Sequence, residues 1–224
     1  NGGTRIPLQF ALAQRDPSCL ATTGIVRVDG SSLAGYATDG MAHNGPNGAT
    51  EVAVKALSIW PNDQYYNIWI VNKIDSEDGF NSMGSFVAGF AWFPGAPANV
   101  DGTVMLAYSA MAGEKTLPHE IGHAFALWHT FEGDNGGTSC PPNANCATDG
   151  DEVCDTDPHI SNPFTCTPNA INTCVTPNAP LGDLERNIMN YSSCPDLLFT
   201  GDQGSRGIAA LLTTNRSSLI SSLG

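Results

Sequence analysis

The sequence predicts a mixed α/β chain of the α+β kind. A β-sheet with a helix fills the N-terminal half, and an irregular, crosslinked C-terminal half ends in a helix. Three observations predict it. Short apolar runs with strand-like alternation recur up to residue 108. A histidine pair at helical spacing follows them directly. Beyond residue 130 the chain is rich in Cys, Pro, Asn and Gly until helical apolar spacing returns near the end.

Ile6, Leu8 and Phe10 share one face and predict a strand over Ile6–Ala13; Ile25–Val28 reads as a second, shorter one. Asp29–Asn47 is Gly-rich and shows no dominant period. Tyr66–Val71 alternates in a β-rich composition and is read as a central strand. Phe86–Phe93, ended by Pro94-Gly95, and Gly102–Tyr108 supply two more. A helix is expected from near Thr116 to about Phe125, with Pro118 in its first turn, where a missing N–H costs nothing. Glu132–Asn187 is broken by Gly, Pro and Asn. Ile208, Leu211, Leu212, Leu219 and Ile220 are spaced for a closing helix on the core.

A formal net charge of −13 with a pI near 4.4 argues against nucleic acid and against anionic membrane surfaces. No run approaches the ~20 apolar residues of a membrane span. Part of the acidity is local: Glu132, Asp134, Asp149, Asp151, Glu152, Asp155 and Asp157 crowd one loop-like stretch. Oxygen-rich loops of this kind bind calcium, and solvated acidic loops have the same composition. Six of seven cysteines (Cys140, Cys146, Cys154, Cys166, Cys174, Cys194) fall in the segment poorest in apolar residues. Crosslinks would hold it in an oxidising compartment, and six cysteines allow fifteen pairings. Cys19 stands apart, either as a free buried thiol or as a partner to something outside the chain. Asn1-Gly2-Gly3-Thr4 reads as a mature or trimmed start, so an export signal and pro-segment are expected to be gone already.

The densest chemical signal is His119-Glu120-Ile121-Gly122-His123-Ala124-Phe125-Ala126-Leu127-Trp128-His129. Histidines at i and i+4 project from one helix face, about one turn apart, and both imidazoles can reach one cation. His129 joins them only if the chain turns sharply after His123. Three neutral imidazoles and one open position are what a catalytic zinc ion requires, and Glu120 is placed to take a proton from water there. Three of the five histidines fall on this spacing, which an incidental amphipathic helix does not explain.

Asn187-Ile188-Met189-Asn190-Tyr191 downstream completes the pattern of H-E-x-x-H, a third histidine and a methionine turn. In this the chain resembles the metzincin metalloendopeptidases and, within them, the pappalysin (cytophagalysin-like) family. Five stretches carry the likeness: Phe10–Ala13 with Asp16-Pro17, Asn67–Asn72, His119–Phe131, Gly150–Thr156, and the Met-turn leading to Phe199-Thr200. The resemblance implies a metzincin-like zincin catalytic domain over residues 1–224, built on a twisted mixed β-sheet. Its upper subdomain would be about 1–129, with active-site and backing helices, and its lower subdomain about 130–224. It implies a secreted zinc endopeptidase made as a zymogen, acting on extended peptides and held in check by its own pro-segment.

By the same resemblance His119, His123 and His129 bind zinc, Glu120 is the general base, and Tyr191 stabilises the oxyanion unless it is simply a packed core tyrosine. Met189 floors the site. Calcium would sit at Asp151, the Val153 carbonyl, Asp155 and Thr156. Phe86–Phe93 would be the edge strand onto which substrate adds. The implied disulfides are Cys146–Cys174 and Cys166–Cys194, leaving Cys140–Cys154 as an additional bridge. Two departures stand out. Ala126 occupies the place of the family's glycine before the third histidine. Where arginine-preferring relatives carry a carboxylate, Ser193 precedes Cys194, with Asp196 as the nearby substitute in the specificity pocket. Two other readings compete: a zinc- and calcium-stabilised binding module of the same fold, and a zinc hydrolase whose third ligand is Glu185.

Overall fold

A computed structural model describes residues 4, 6–82, 84–111, 113–161, 166, 174, 184–191, 193–195 and 197–222. In chain order the elements are α1 (Tyr36–Asp39), β1 (Met41–Ala42), β2 (Ala49–Thr50), α2 (Glu51–Ala56), β3 (Ile68–Val71), β4 (Gly89–Ala91), β5 (Thr103–Leu106), α3 (Thr116–Ala124) and α4 (Gly201–Thr213). Two compact units form. One takes residues 8–124 and 211–224; the other takes 1–7 and 125–210. Each unit thus borrows a terminal segment from the opposite end of the expected division near residue 129.

The larger unit is built on a three-stranded sheet ordered β3-β5-β4, with β3 parallel and β4 antiparallel to β5. All four residues of β5 are buried, as expected of a strand covered on both faces. This corrects the reading of Tyr66–Val71 as central. β3 lies at the side, and its alternation marks one covered face: Trp69 and Val71 are buried, whereas Ile68 is 41% and Ile70 62% exposed. The strands expected at Ile6–Ala13 and Ile25–Val28 do not form, since alternation supplies a face but no hydrogen-bonding neighbour. Phe10 and Leu12 are more than half exposed. Among the described residues, pairing here is limited to the bridge Arg15↔Ala21. At its turn the Asp16 carboxylate accepts the N–H groups of Ser18 and Leu20. Cys19 in that turn is exposed and unpaired, not buried.

The Gly-rich stretch holds α1 and the parallel pair β1–β2. Gly40 (φ 72°) is required there, because a Cβ would lie 2.2 Å from the Lys73 carbonyl oxygen. α2 starts at Thr50, whose hydroxyl accepts the Ala53 N–H. On α2 the fully buried Lys55 pairs with Glu51 at 2.6 Å, donates to the Val100 carbonyl and lies 4.7 Å from the Trp69 ring centroid.

A second buried charge ties together parts of this unit that are remote in sequence. Arg216 and Asp101, both about 1% exposed, form a two-pronged ion pair with both contacts at 2.6 Å. Arg216 also donates to the carbonyl of Ala124, the last residue of α3, and to that of Trp92. A cation at a helix C-terminus is favourable in itself.

In the smaller unit, α4 begins with a reciprocal cap. The Thr200 hydroxyl accepts the Gln203 N–H, and the Gln203 side chain accepts the Thr200 N–H. Three disulfides crosslink this unit. Cys166 pairs with Cys194, but the other two exchange partners relative to expectation: Cys140 bonds Cys174, and Cys146 bonds Cys154. The reason is local. Thr148 and Asp149 donate to the Asn145 carbonyl and Glu152 to that of Asp149, folding the loop back on itself. This brings the Cα atoms of Cys146 and Cys154 to 4.9 Å, within bonding range. Cys140 is left for Cys174.

Replacing Asp101 by Ala strands the buried Arg216 charge, and this should cost about 3–5 kcal/mol of stability in urea unfolding. A loss below ~1 kcal/mol would contradict the role given to this pair.

Candidate metal centre

α3 presents His119 and His123 one turn apart, their ring centroids 4.9 Å from each other. Between them Glu120 is buried, and burial pushes its carboxyl up to about 8. The neighbouring strand allows this burial: a Cβ at Gly89 of β4 would meet the Glu120 Cγ at 3.3 Å and the Val104 carbonyl oxygen at 2.9 Å. A cation held by the histidines would favour the charged carboxylate and oppose the shift.

The helix stops at Ala124, and Ala126 adopts φ 66°. The left-handed turn expected of the family's glycine is therefore made by alanine, at a cost of about 1–2 kcal/mol. It redirects the chain so that ligand-capable atoms of His119, His123 and His129 all lie within 4.8 Å of one another. Three imidazole nitrogens converging this closely are a donor set that fits zinc. Among the described residues Glu185 is not part of the cluster; it is buried in the 3-10 turn Leu184–Arg186.

Aromatic rings surround His129. Phe131 stacks on it at 4.8 Å and 6°, and Tyr191 meets it edge-on at 4.9 Å. Tyr191 is 43% exposed, so it is not a packed core tyrosine. Met189 is fully buried with Leu127 and Ile188, and its carbonyl accepts the Thr130 N–H. The Met-turn is in turn held to α4 by paired amides. Asn187 and Gln203 exchange two side-chain hydrogen bonds at 3.0 and 3.1 Å, and Asn187 Oδ1 also accepts the Met189 N–H.

Sequence reasoning missed His159. It is fully buried, with Nε2 2.7 Å from the Thr130 hydroxyl and Nδ1 3.0 Å from the Ile160 carbonyl. A carbonyl only accepts, so Nδ1 carries the proton and Nε2 accepts from Thr130. The signal available in the sequence was a lone histidine amid acidic residues, which does not announce a partner next to His129.

The acidic loop has two jobs. Asp151 is buried and accepts the Thr156 hydroxyl at 2.6 Å and the Val153 N–H at 3.2 Å, while Thr156 also donates to the Val153 carbonyl. Burial pushes the Asp151 carboxyl up to about 7, against the pull of these hydrogen bonds and of Arg206. Asp155 instead serves α4, accepting the Thr200 hydroxyl at 2.6 Å and the Asp202 N–H at 2.9 Å. Ser193 is exposed. Asp196 lies outside the described residues. β4 closes one side of the sheet, where Phe86–Phe93 was expected to offer an edge.

The profile of peptidase family M43, described as Pregnancy-associated plasma protein-A, matches residues 48–211. The chain belongs to this family. An "Extracellular metalloprotease" of Colletotrichum graminicola is 32% identical over 133 residues, covering 53% of this chain and 42% of the relative. Another of the same name, from Arthroderma otae, is 41% identical over 80 residues, covering 30% and 26%. The matched region thus spans less than half the length of these relatives. Mature mirolysin of Tannerella forsythia, solved with a cleaved peptide, superposes with TM-score 0.67 at 24% identity, covering 97% of this chain and 76% of that one. A promirolysin mutant gives TM-score 0.67 at 23% identity, covering 97% and 67%. The M43 fold is therefore present across nearly the whole chain.

Burial holds the His159 imidazole below its ordinary 6.5, while the Ile160 carbonyl, Asp134 and Glu185 oppose the shift. The unfolded chain therefore takes up this proton first. The contribution is full above pH 6.5 and is lost as pH falls further. His159→Gln keeps a hydrogen-bonding side chain but cannot titrate. Urea midpoints compared between about pH 7 and pH 5 should fall less steeply in the variant. Equal slopes would remove His159 as a source of acid sensitivity.

Proposed function

We propose that the chain is the catalytic domain of a secreted zinc endopeptidase. The observation that carries this reading is the convergence of His119, His123 and His129 within 4.8 Å, beside a buried glutamate, in a chain of the M43 family. His119, His123 and His129 hold the metal. When bound, zinc lowers the pKa of water and polarises the scissile carbonyl. Glu120 takes a proton from the attacking water and passes it to the leaving amine as the C–N bond breaks. Tyr191, beside His129 and accessible to solvent, donates a hydrogen bond to the oxygen that gains charge. The side of β4 away from β5 receives the peptide as an added strand, which gives main-chain affinity.

Export is supported by the three disulfides and by the extracellular naming of the relatives. No helix among the described residues is long and apolar enough to cross a membrane. A pro-segment acting as inhibitor fits the same reading. So does a specificity pocket near Ser193 and Asp196. Calcium is assigned to Asp151, the Val153 carbonyl, Asp155 and Thr156. The set is all oxygen, each carboxylate oxygen keeps acceptor capacity beyond its protein partners, and a buried Asp151 gains most from a cation. Its part is to stabilise the loop, not to enter the reaction.

A diverse peptide library incubated with the zinc-loaded protein and with Glu120→Ala should show cleavage that drops ~10²–10⁴-fold in the variant. Equal cleavage by both would refute the role of Glu120. Calcium at a hundredfold excess over its Kd should add about 2.7 kcal/mol of stability in the parent protein. Asp151→Asn should abolish most of that gain, and a calcium-independent melting temperature would refute the site.

A further inference from the structure

We propose that Arg206 is a positioning residue for His129: it clamps the turn at Ala126 and does with a side chain what glycine does by conformational freedom. The proposal rests on the zinc reading above. Arg206 stands on α4 and reaches back 80 residues in sequence, where its Nε donates to the Ala126 carbonyl at 2.8 Å. Its terminal Nη2 pairs with the Glu152 carboxylate at 2.5 Å. Both partners are non-glycine residues in the left-handed region, Ala126 at φ 66° and Glu152 at φ 58°. One guanidinium thus binds the backbone carbonyl of one left-handed residue and the side chain of another, the first lying three residues before His129.

Such positions persist only where their surroundings over-determine them. With alanine at 126, the competing right-handed conformation would continue α3 and carry His129 away from His119 and His123. The hydrogen bond to the Ala126 carbonyl opposes that continuation, and Glu152 fixes the direction of the guanidinium. Arginine suits the task because its fork serves carbonyl and carboxylate at once, whereas lysine offers a single nitrogen.

The test is a double-mutant cycle read by zinc affinity, using competition with a chromophoric chelator, and by the ligand-field spectrum of the cobalt-substituted protein. Arg206→Met keeps much of the aliphatic stem and should weaken zinc about 10–100-fold, as loss of supporting groups around a metal ligand does. In the Ala126→Gly background the same substitution should lose most of that effect, because glycine holds the turn unaided. The cobalt spectrum should change in Arg206→Met and return in the double variant. Glu152→Gln, a milder change, should give a smaller loss that Ala126→Gly also suppresses. Equal losses in both backgrounds would make Arg206 merely structural and overturn the proposal, as would unchanged affinity in Arg206→Met. Failure of the parent protein and every variant to take up zinc would overturn the zinc reading and the clamp together.

Discussion

A single helix cannot deliver three ligands spaced four and then six residues apart. At about 1.5 Å of rise per residue, His129 on a continued α3 would lie roughly 15 Å along the axis from His119 and on a different face. The convergence of the three histidines therefore depends on the helix ending at Ala124 and on the left-handed conformation of Ala126. That constraint is costly for alanine, and much of the surrounding structure serves to maintain it. Arg216 holds the carbonyl of Ala124, and Arg206 holds that of Ala126. Two arginines fix the two ends of the bend. The departure from glycine consequently gives no support to an inactive binding module, because the turn forms regardless.

The smaller unit reads as a support for the segment after the bend. Thr130 is held by the Met189 carbonyl on its backbone and by His159 on its side chain. The Met-turn is fixed in turn by the Asn187–Gln203 amide pair, and Gln203 belongs to the cap of α4. Asp155 completes the circuit by binding the first turn of that helix. Buried polar groups arranged this way specify one geometry, since each is satisfied only when the others are in place.

What was legible in the sequence followed from periodicity and from residue chemistry. The histidine spacing, the glutamate between the first pair and the Met-turn identify the centre, because few other arrangements place those side chains together. β3, β5 and α3 were legible because each carries a sustained pattern, whereas of the strand expected at Phe86–Phe93 only the three residues Gly89–Ala91 of β4 form. The stretch Ile6–Ala13 was misread because alternation says which face would be covered and is silent on whether a neighbouring strand exists. α2 went unseen because six residues with two β-branched valines carry little helical signal. The disulfide pairing depended on the path of one tight loop between Cys146 and Cys154, which spacing does not determine. His159 and Arg206 were invisible for a related reason: their partners are a hydroxyl and a carbonyl at 29 and 80 residues' remove.

The central claim is that the turn at Ala126 makes His129 the third ligand of one zinc ion. X-ray absorption at the zinc edge of the metal-loaded protein tests it most directly. The account predicts one zinc with three imidazole nitrogens and one oxygen at about 2.0–2.2 Å. A site with two imidazoles completed by carboxylate oxygen, or one containing sulfur, would contradict it.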